Sequence, residues 1–294
     1  MKHKILIFGE ILWDIFISSD GTTEKIGGAP YNLAAHAAKL GADAFLVSAV
    51  GDDALGEKAL AEAKKAGVHT DFIFLSDKPT GFCAVTLDGG NPHYRLADNT
   101  AYDYIDTASV SGDFDALCFG LLALREEHNR KTLFDMIDRF SFDEVLFDVN
   151  IRNNFCPPNL LDRCLKKTTI LKASREETAF LGLGDIPHEE LCEKLALVYP
   201  NLKLVLITLD KDGAFAFDCR TKMFYRSQTP KNTLVSAVGA GDSFSACFLC
   251  NIQSGADIEK SLERAVTLSD FVVTKLEAVP DYPKGLLEIT SPMN

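Results

Sequence analysis

A short apolar run, a turn, and then a stretch whose apolar positions recur every third or fourth residue is the unit on which this chain is built. Such runs fall at 5–8, 44–50, 116–119, 144–149, 169–172 and 204–208. Helical patterns lie among and after them at 32–40, 55–66, 130–140, 160–166, 189–198, 240–253 and 259–275. A run without polar alternation fits a strand buried on both faces, and strands separated by helices pair in parallel, because each crossover returns the chain to the same end of the sheet. The spacing predicts a three-layer α/β fold with a mostly parallel central sheet. No linker rich in Gly, Ser or Pro interrupts it, so residues 1–294 are expected to form a single domain.

Two stretches break the rhythm. Asp14-Ile15-Phe16-Ile17 follows the first run directly, and 72–75, 82–87 and 93–96 succeed one another with Asp88-Gly89-Gly90-Asn91 as a turn. Without helices between them these strands are expected to pair antiparallel. They predict a small β-sheet flap, from about residues 12–30 and 70–105, on the edge of the α/β body.

Composition narrows the function. The chain is 47% hydrophobic and 24% charged, as in ordinary globular proteins. Its net charge of −12 offers no basic field for a polyanion, so nucleic acid is not an expected partner. The apolar run at 5–8 is short for a signal peptide, and no stretch approaches the ~18 apolar residues of a membrane span. A cytoplasmic protein without a membrane partner is expected. The eight cysteines are scattered, and several sit in apolar runs, as free thiols of the core do. Cys247 and Cys250 have CxxC spacing but lie on a helical pattern with no second ligand pair, which favours packing over metal.

Gly239-Ala240-Gly241-Asp242 opens a helix whose apolar face is Phe244, Phe248 and Ile252. A glycine turn into a helix start lets an anion approach unpaired amides, and the helix dipole adds positive potential. The same dipole favours an ionised Asp242, so a base would stand beside a bound phosphoryl group. A turn with a helix-stabilising aspartate explains the tetrapeptide equally simply. The third glycine of a dinucleotide fingerprint is missing, and no GxxxxGK[ST] P-loop occurs. Gly27-Gly28-Ala29-Pro30-Tyr31-Asn32 is a second glycine turn before a helix, with Asp14 upstream. A carboxylate and an amide beside bare backbone suit a polyol, although a helix start with Pro near its first position reads the same way.

The order of these elements is more specific than any one of them. Gly9-Glu10-Ile11-Leu12-Trp13-Asp14, the glycine turn at 27–32, Pro79-Thr80-Gly81, Asp148-Val149-Asn150-Ile151-Arg152 and Gly239-Ala240-Gly241-Asp242-Ser243-Phe244 together resemble the ribokinase-like (PfkB-type) carbohydrate kinases over nearly the whole chain. Phe119-Gly120-Leu121-Leu122 and Ala101-Tyr102-Asp103-Tyr104-Ile105 look most like the fructokinase branch. The resemblance implies a ribokinase-like αβα fold and ATP-dependent phosphorylation of a terminal hydroxyl of a small sugar, fructose to fructose 6-phosphate first. Ribose, 2-keto-3-deoxygluconate or another sugar, or a non-catalytic sugar- or nucleotide-binding relative, are the alternatives.

By the same resemblance Asp242 is the catalytic base, and the amides of Gly239, Ala240 and Gly241 form the anion hole. Asp14, Gly28, Asn32 and Arg152 hold the sugar. Lys172, Thr208 and Gly213 bind the nucleotide, and Glu177 serves magnesium. The flap becomes a lid over the sugar and the contact of a homodimer. Ser236 and Glu277 stand where the family usually has Asp and Gly near a monovalent cation, which puts potassium dependence in doubt. Ser174 replaces an Asn three residues before Glu177, and Asp210 replaces a glycine of the nucleotide loop.

Overall fold

The computed structural model describes residues 2–18, 21–88, 91–182, 186–229 and 233–286. Its first half runs β1 (Lys4–Phe8), β2 (Leu12–Ser18), β3 (Gly21–Gly27), α1 (Ala29–Lys39), β4 (Asp43–Gly51), α2 (Ala54–Lys65), β5 (Ile73–Ser76), β6 (Phe82–Asp88), β7 (Asn91–Leu96) and β8 (Ala116–Gly120). There follow α3 (Glu127–Arg139), β9 (Glu144–Asp148), α4 (Pro158–Leu165), β10 (Ile170–Ser174), α5 (His188–Val198), β11 (Leu204–Thr208), β12 (Ala214–Asp218), β13 (Met223–Ser227), α6 (Ala240–Gln253) and α7 (Ile258–Val272).

The two-residue period of a strand sets the layers. Leu6 and Phe8 of β1 enter one apolar cluster with α3, α4 and α5, while Ile5 and Ile7 enter the other with α1, α6 and α7. The central sheet has nine strands in the order β13-β12-β11-β10-β9-β8-β1-β4-β5, parallel from β11 through β5. The expected three-layer α/β architecture is therefore present.

A second sheet, ordered β3-β2-β6-β7, stands apart from it. Three features differ from the sequence expectation. The run at 72–75 belongs to the central sheet, where β5 pairs in parallel with β4, rather than to the flap. The flap is mixed: β2–β3 and β6–β7 are antiparallel hairpins, but β2 pairs with β6 in parallel. The chain leaves β3 for the central sheet and re-enters at β6, so the second hairpin arrives running the same way as the first. Finally, β12 and β13 extend the central sheet as an antiparallel hairpin without the helices that separate the other runs.

The small sheet is anchored at its root. The Trp13 indole donates to the Leu55 carbonyl at 3.0 Å, and Trp13 N–H to Gly81 O at 3.0 Å. Asp53 caps α2 through Gly56 N–H at 2.8 Å and also accepts from the Thr80 amide at 2.8 Å and the Thr80 hydroxyl at 2.6 Å. At Gly81 a Cβ would stand 2.4 Å from the Tyr102 ring, so Pro79-Thr80-Gly81 is a packed joint.

Candidate active site

Along the carboxyl ends of the parallel strands, where open α/β sheets place ligands, lies a cavity of about 540 Å³ roofed in part by the small sheet. Asp14, Gly28, Asn32, Arg152, Lys172, Gly239, Gly241 and Asp242 all line it. These residues are up to 228 positions apart, from Asp14 to Asp242, and the fold gathers them.

Asp242 lies in the first turn of α6 and lines the inner wall of the cavity. Asn32, on α1, donates from Nδ2 to Asp242 Oδ2 at 2.8 Å, while its own Oδ1 is buried without a partner and can accept from a ligand hydroxyl. Burial pushes the Asp242 carboxyl from the ordinary 3.8 to about 6, against the Asn32 hydrogen bond, with the Asp148 charge adding to the rise. The helix dipole was expected to favour ionisation, but desolvation outweighs it here. Asp242 stays mostly ionised at neutral pH, and its basicity lies closer to the working pH of a general base.

The turn before Asp242 is shaped by glycine. Gly239 has φ 83°, and a Cβ there would stand 2.3 Å from Ala278 O. His36 on α1 donates through Nε2 to that same Ala278 carbonyl at 2.9 Å and accepts from the Tyr282 hydroxyl. Ser243 N–H makes the first helical bond, to Gly239 O, and Ala240 N–H turns back to Ala237 O. Among the described residues the amides of Gly241 and Asp242 find no acceptor, so the start of α6 presents free donors. A Cβ on Gly241 would stand 3.0 Å from Lys172 Nζ, which places an ammonium against the same turn. This cradle fits a phosphate group in charge and in shape.

Lys172 on β10 is buried and bonds Asp148 Oδ1 at 2.9 Å, while Ser245 on α6 donates to Asp148 Oδ2 at 2.9 Å. Burial disfavours the ammonium, but Asp148 and Glu177 more than offset it, and the Lys172 pKa is raised. It remains a cation.

The residues expected on the sugar side are held by close backbone packing. Gly28 has φ 102°, and a Cβ there would lie 2.5 Å from Glu10 O. Asp14, on β2, packs its Oδ2 against Gly27, where a Cβ would approach to 2.8 Å, and burial raises its pKa. Arg152 follows β9 in a loop where Asn150, Asn153 and Asn154 all take positive φ. It is exposed at the mouth and, among the described residues, hydrogen-bonds only Ile151 O at 3.2 Å. Among the described residues it joins no ion pair, which removes the surface salt bridge as its explanation.

Glu177, Thr208 and Gly213 lie outside the cavity wall. Glu177 accepts from the amides of Ile151 at 2.8 Å and Ser174 at 2.7 Å, one on each carboxylate oxygen, and so ties the Arg152 loop to the end of β10. Ser174 answers with its hydroxyl, which accepts from Glu177 N–H at 3.3 Å; the missing Asn is replaced by a working turn. Thr208 ends β11, and its carbonyl accepts from Arg175 N–H at 2.9 Å. Gly213, φ 91°, lets Ser227 O approach to 2.0 Å of where a Cβ would stand. Asp210, whose pKa burial raises with Glu176 beside it, takes φ 52° in the same turn. Among the described residues no three His, Cys, Asp or Glu side chains converge as metal ligands. A magnesium ion there fits only with phosphate oxygens and water completing its shell.

Sequence reasoning missed Glu10, Asn150 and Asn153, which also line the cavity, and Asp148, which holds Lys172 behind it. The end of β9 could have shown Asp148 and Asn150, since strand ends at a parallel sheet's carboxyl edge are where sites form.

A ribokinase-like fold with a phosphate cradle, a half-buried carboxylate and a polar cavity under a small sheet defines a phosphoryl-transfer enzyme acting on a small polyol. Residues 2–285 match the pfkB family carbohydrate kinases, and the chain belongs to that family; it is a sugar kinase. It is 30% identical over 265 residues to a fructokinase of Rhizobium leguminosarum bv. trifolii, covering 85% of this chain and 79% of that one. An ATP-dependent 6-phosphofructokinase of Thermoanaerobacterium thermosaccharolyticum is 26% identical over 299 residues, covering 96% and 91%. The fold matches that of a fructokinase with bound ATP from Xylella fastidiosa with a TM-score of 0.85, at 23% identity over 99% of this chain and 98% of that one. No described helix is long and apolar enough to cross a membrane.

Proposed function

We propose that this sugar kinase moves the terminal phosphoryl group of ATP to a terminal hydroxyl of a small sugar, fructose to fructose 6-phosphate in the first instance. The observation that carries the reading is Asp242, half-buried and clamped by Asn32, in one cavity with the Lys172 ammonium and the free amides of Gly241 and Asp242. Asp14, the Gly28 backbone, the unpaired Asn32 Oδ1 and Arg152 hold the sugar and turn one hydroxyl toward Asp242. That carboxylate takes the hydroxyl proton as the oxygen attacks phosphorus in line. The α6 amides and Lys172 carry the charge that spreads over the phosphoryl oxygens. Thr208 and Gly213 belong to the nucleotide end. Magnesium, bound with the phosphates, would neutralise part of their charge, with Glu177 positioning the adjacent loop. The small sheet acts as a lid that excludes water from the phosphoryl group, and its exposed Phe16 and Ile17 are the surface assigned to a homodimer contact.

Arg152 favours a second reading in the same class. An unpaired guanidinium at the cavity mouth suits a sugar bearing a carboxylate or phosphate. Release of ADP measured over ketoses, aldoses, sugar acids and sugar phosphates decides: turnover highest on fructose supports the first reading, and turnover highest on an anionic sugar supports the second. ATP or sugar binding without turnover on any of them would overturn both.

A further inference from the structure

The mechanism above uses Asp242 and leaves Glu10 idle, although Glu10 is only 2% exposed at the centre of the site. A carboxyl buried there without a role is costly. Its position is fixed by two glycines. A Cβ at Gly9, φ 151°, would meet Pro30 at 2.3 Å, and a Cβ at Gly28 would come within 3.3 Å of the Glu10 side chain. The nearby amides of Glu10 itself and of Ala29 favour its anion.

Two cavities meet at this side chain. One is the 540 Å³ substrate cavity. Behind it lies a second, of about 20 Å³, with Glu10, Asp148, Asn150 and Asp242 as polar walls and apolar side chains such as Ile7 and Phe119 around them. That volume suits a single water, which needs roughly 10–15 Å³ and two to four polar partners. Glu10, Asn150 and Asp242 line both cavities. Asp148 is not a candidate acceptor, because its two oxygens are engaged by Lys172 and Ser245.

We propose that Glu10 receives, through one water in the small cavity, the proton that Asp242 takes from the substrate. The inference rests on the kinase reading with Asp242 as base. In the transfer step the sugar oxygen bonds to phosphorus, its O–H bond breaks, and the proton passes to Asp242 while the electron pair of the broken P–O bond leaves with ADP. Protonated Asp242 then donates to the water as the water donates one of its own protons to ionised Glu10. Asp242 is a carboxylate again, and the hydroxyl proton has become the Glu10 proton, which leaves through the open cavity with the products.

The surroundings give this direction. Burial raises both carboxyls, Glu10 to about 7 and Asp242 to about 6, and Glu10 is the more enclosed of the two, so the proton is held more tightly there. Arg152 favours the Glu10 anion and Asp242 opposes it. Tyr102, which also faces Glu10, is held protonated by burial throughout this range.

Glu10→Gln keeps the shape and removes the acceptor. Turnover at pH 7 is expected to fall about tenfold with sugar and ATP KM within about threefold, as for loss of a step that follows binding. The acid limb of kcat, near 7 when Glu10 must be ionised, moves toward 6, where Asp242 alone titrates. Glu10→Ala opens room for a small acid, and added formate is expected to restore turnover in a saturable way; this variant carries the test alone if Glu10→Gln does not fold. Glu10→Gln turnover within twofold of the parent from about pH 5.5 to 8.5, or Glu10→Ala unmoved by formate, overturns the relay. Asp242→Asn separates the two ideas: retained turnover in that variant sinks the base itself, whereas an inactive Asp242→Asn beside an unaffected Glu10→Gln sinks only the relay.

Discussion

Asp242→Asn should leave the enzyme nearly inactive and more stable. Burial lifts this carboxyl from 3.8 in the unfolded chain to about 6 in the fold. A raised pKa means that the folded state binds the proton more tightly. The resulting stability is complete below pH 3.8 and is lost as pH rises through about 6. At pH 7.5 the parent therefore bears the whole penalty of a buried charge. A difference of about two pK values at 1.36 kcal/mol each sets it at roughly 3 kcal/mol. Asparagine is neutral at every pH and can still accept the Asn32 hydrogen bond, so it escapes the penalty without creating an orphan. Urea titrations of parent and variant at pH 7.5 should show the variant ahead by up to that amount, with the gap closing near pH 4. In the same preparations turnover should fall by about two to four orders of magnitude, with sugar KM within a few fold. The parent's kcat/KM should decline as pH drops from about 7 through 6, because both carboxylates must be ionised. A variant less stable than its parent at pH 7.5 would refute the burial argument, and one that keeps near-native turnover would refute the catalytic assignment.

Lys172→Met should be costly for the opposite reason, since it leaves Asp148 buried without its partner. A loss of about 3–5 kcal/mol is expected, together with a raised ATP KM. Adding Asp148→Asn should return part of the stability but not the nucleotide affinity, and equal recovery of both would remove Lys172 from the phosphate cradle. Gly28→Ala puts a Cβ 2.5 Å from Glu10 O at φ 102°. The strain should lower stability by about 1–3 kcal/mol and raise sugar KM while ATP KM stays put; a variant with unchanged sugar KM would place the sugar elsewhere in the cavity.

The central sheet was legible because its strands are buried on both faces and read as unbroken apolar runs, as Ile5 through Phe8 do. The hairpin of β12 and β13 was not, since β12, although buried, follows β11 with no helix between them and the edge strand Met223–Ser227 is half exposed and carries no such run. Pairing direction in the small sheet was hidden for a different reason. Local turns specify a hairpin, but the parallel match of Asp14 with Cys83 is set by how the chain re-enters after β5. The site divides along the same line. Gly28, Asn32 and Asp242 lie in glycine turns whose spacing is visible in the sequence. Glu10 and Asp148 lie at the ends of buried strands, where a carboxyl looks like a strand boundary until the fold supplies what surrounds it. For Asp148 that is Lys172 and Ser245, and its charge is spent on holding them. For Glu10 it is a small polar cavity shared with Asp242, and among the described residues no hydrogen bond to a basic side chain consumes its charge. Two acids placed alike by the sequence thus part in chemistry once their partners are known, and only the one without a cation bonded to it remains free to take up a proton.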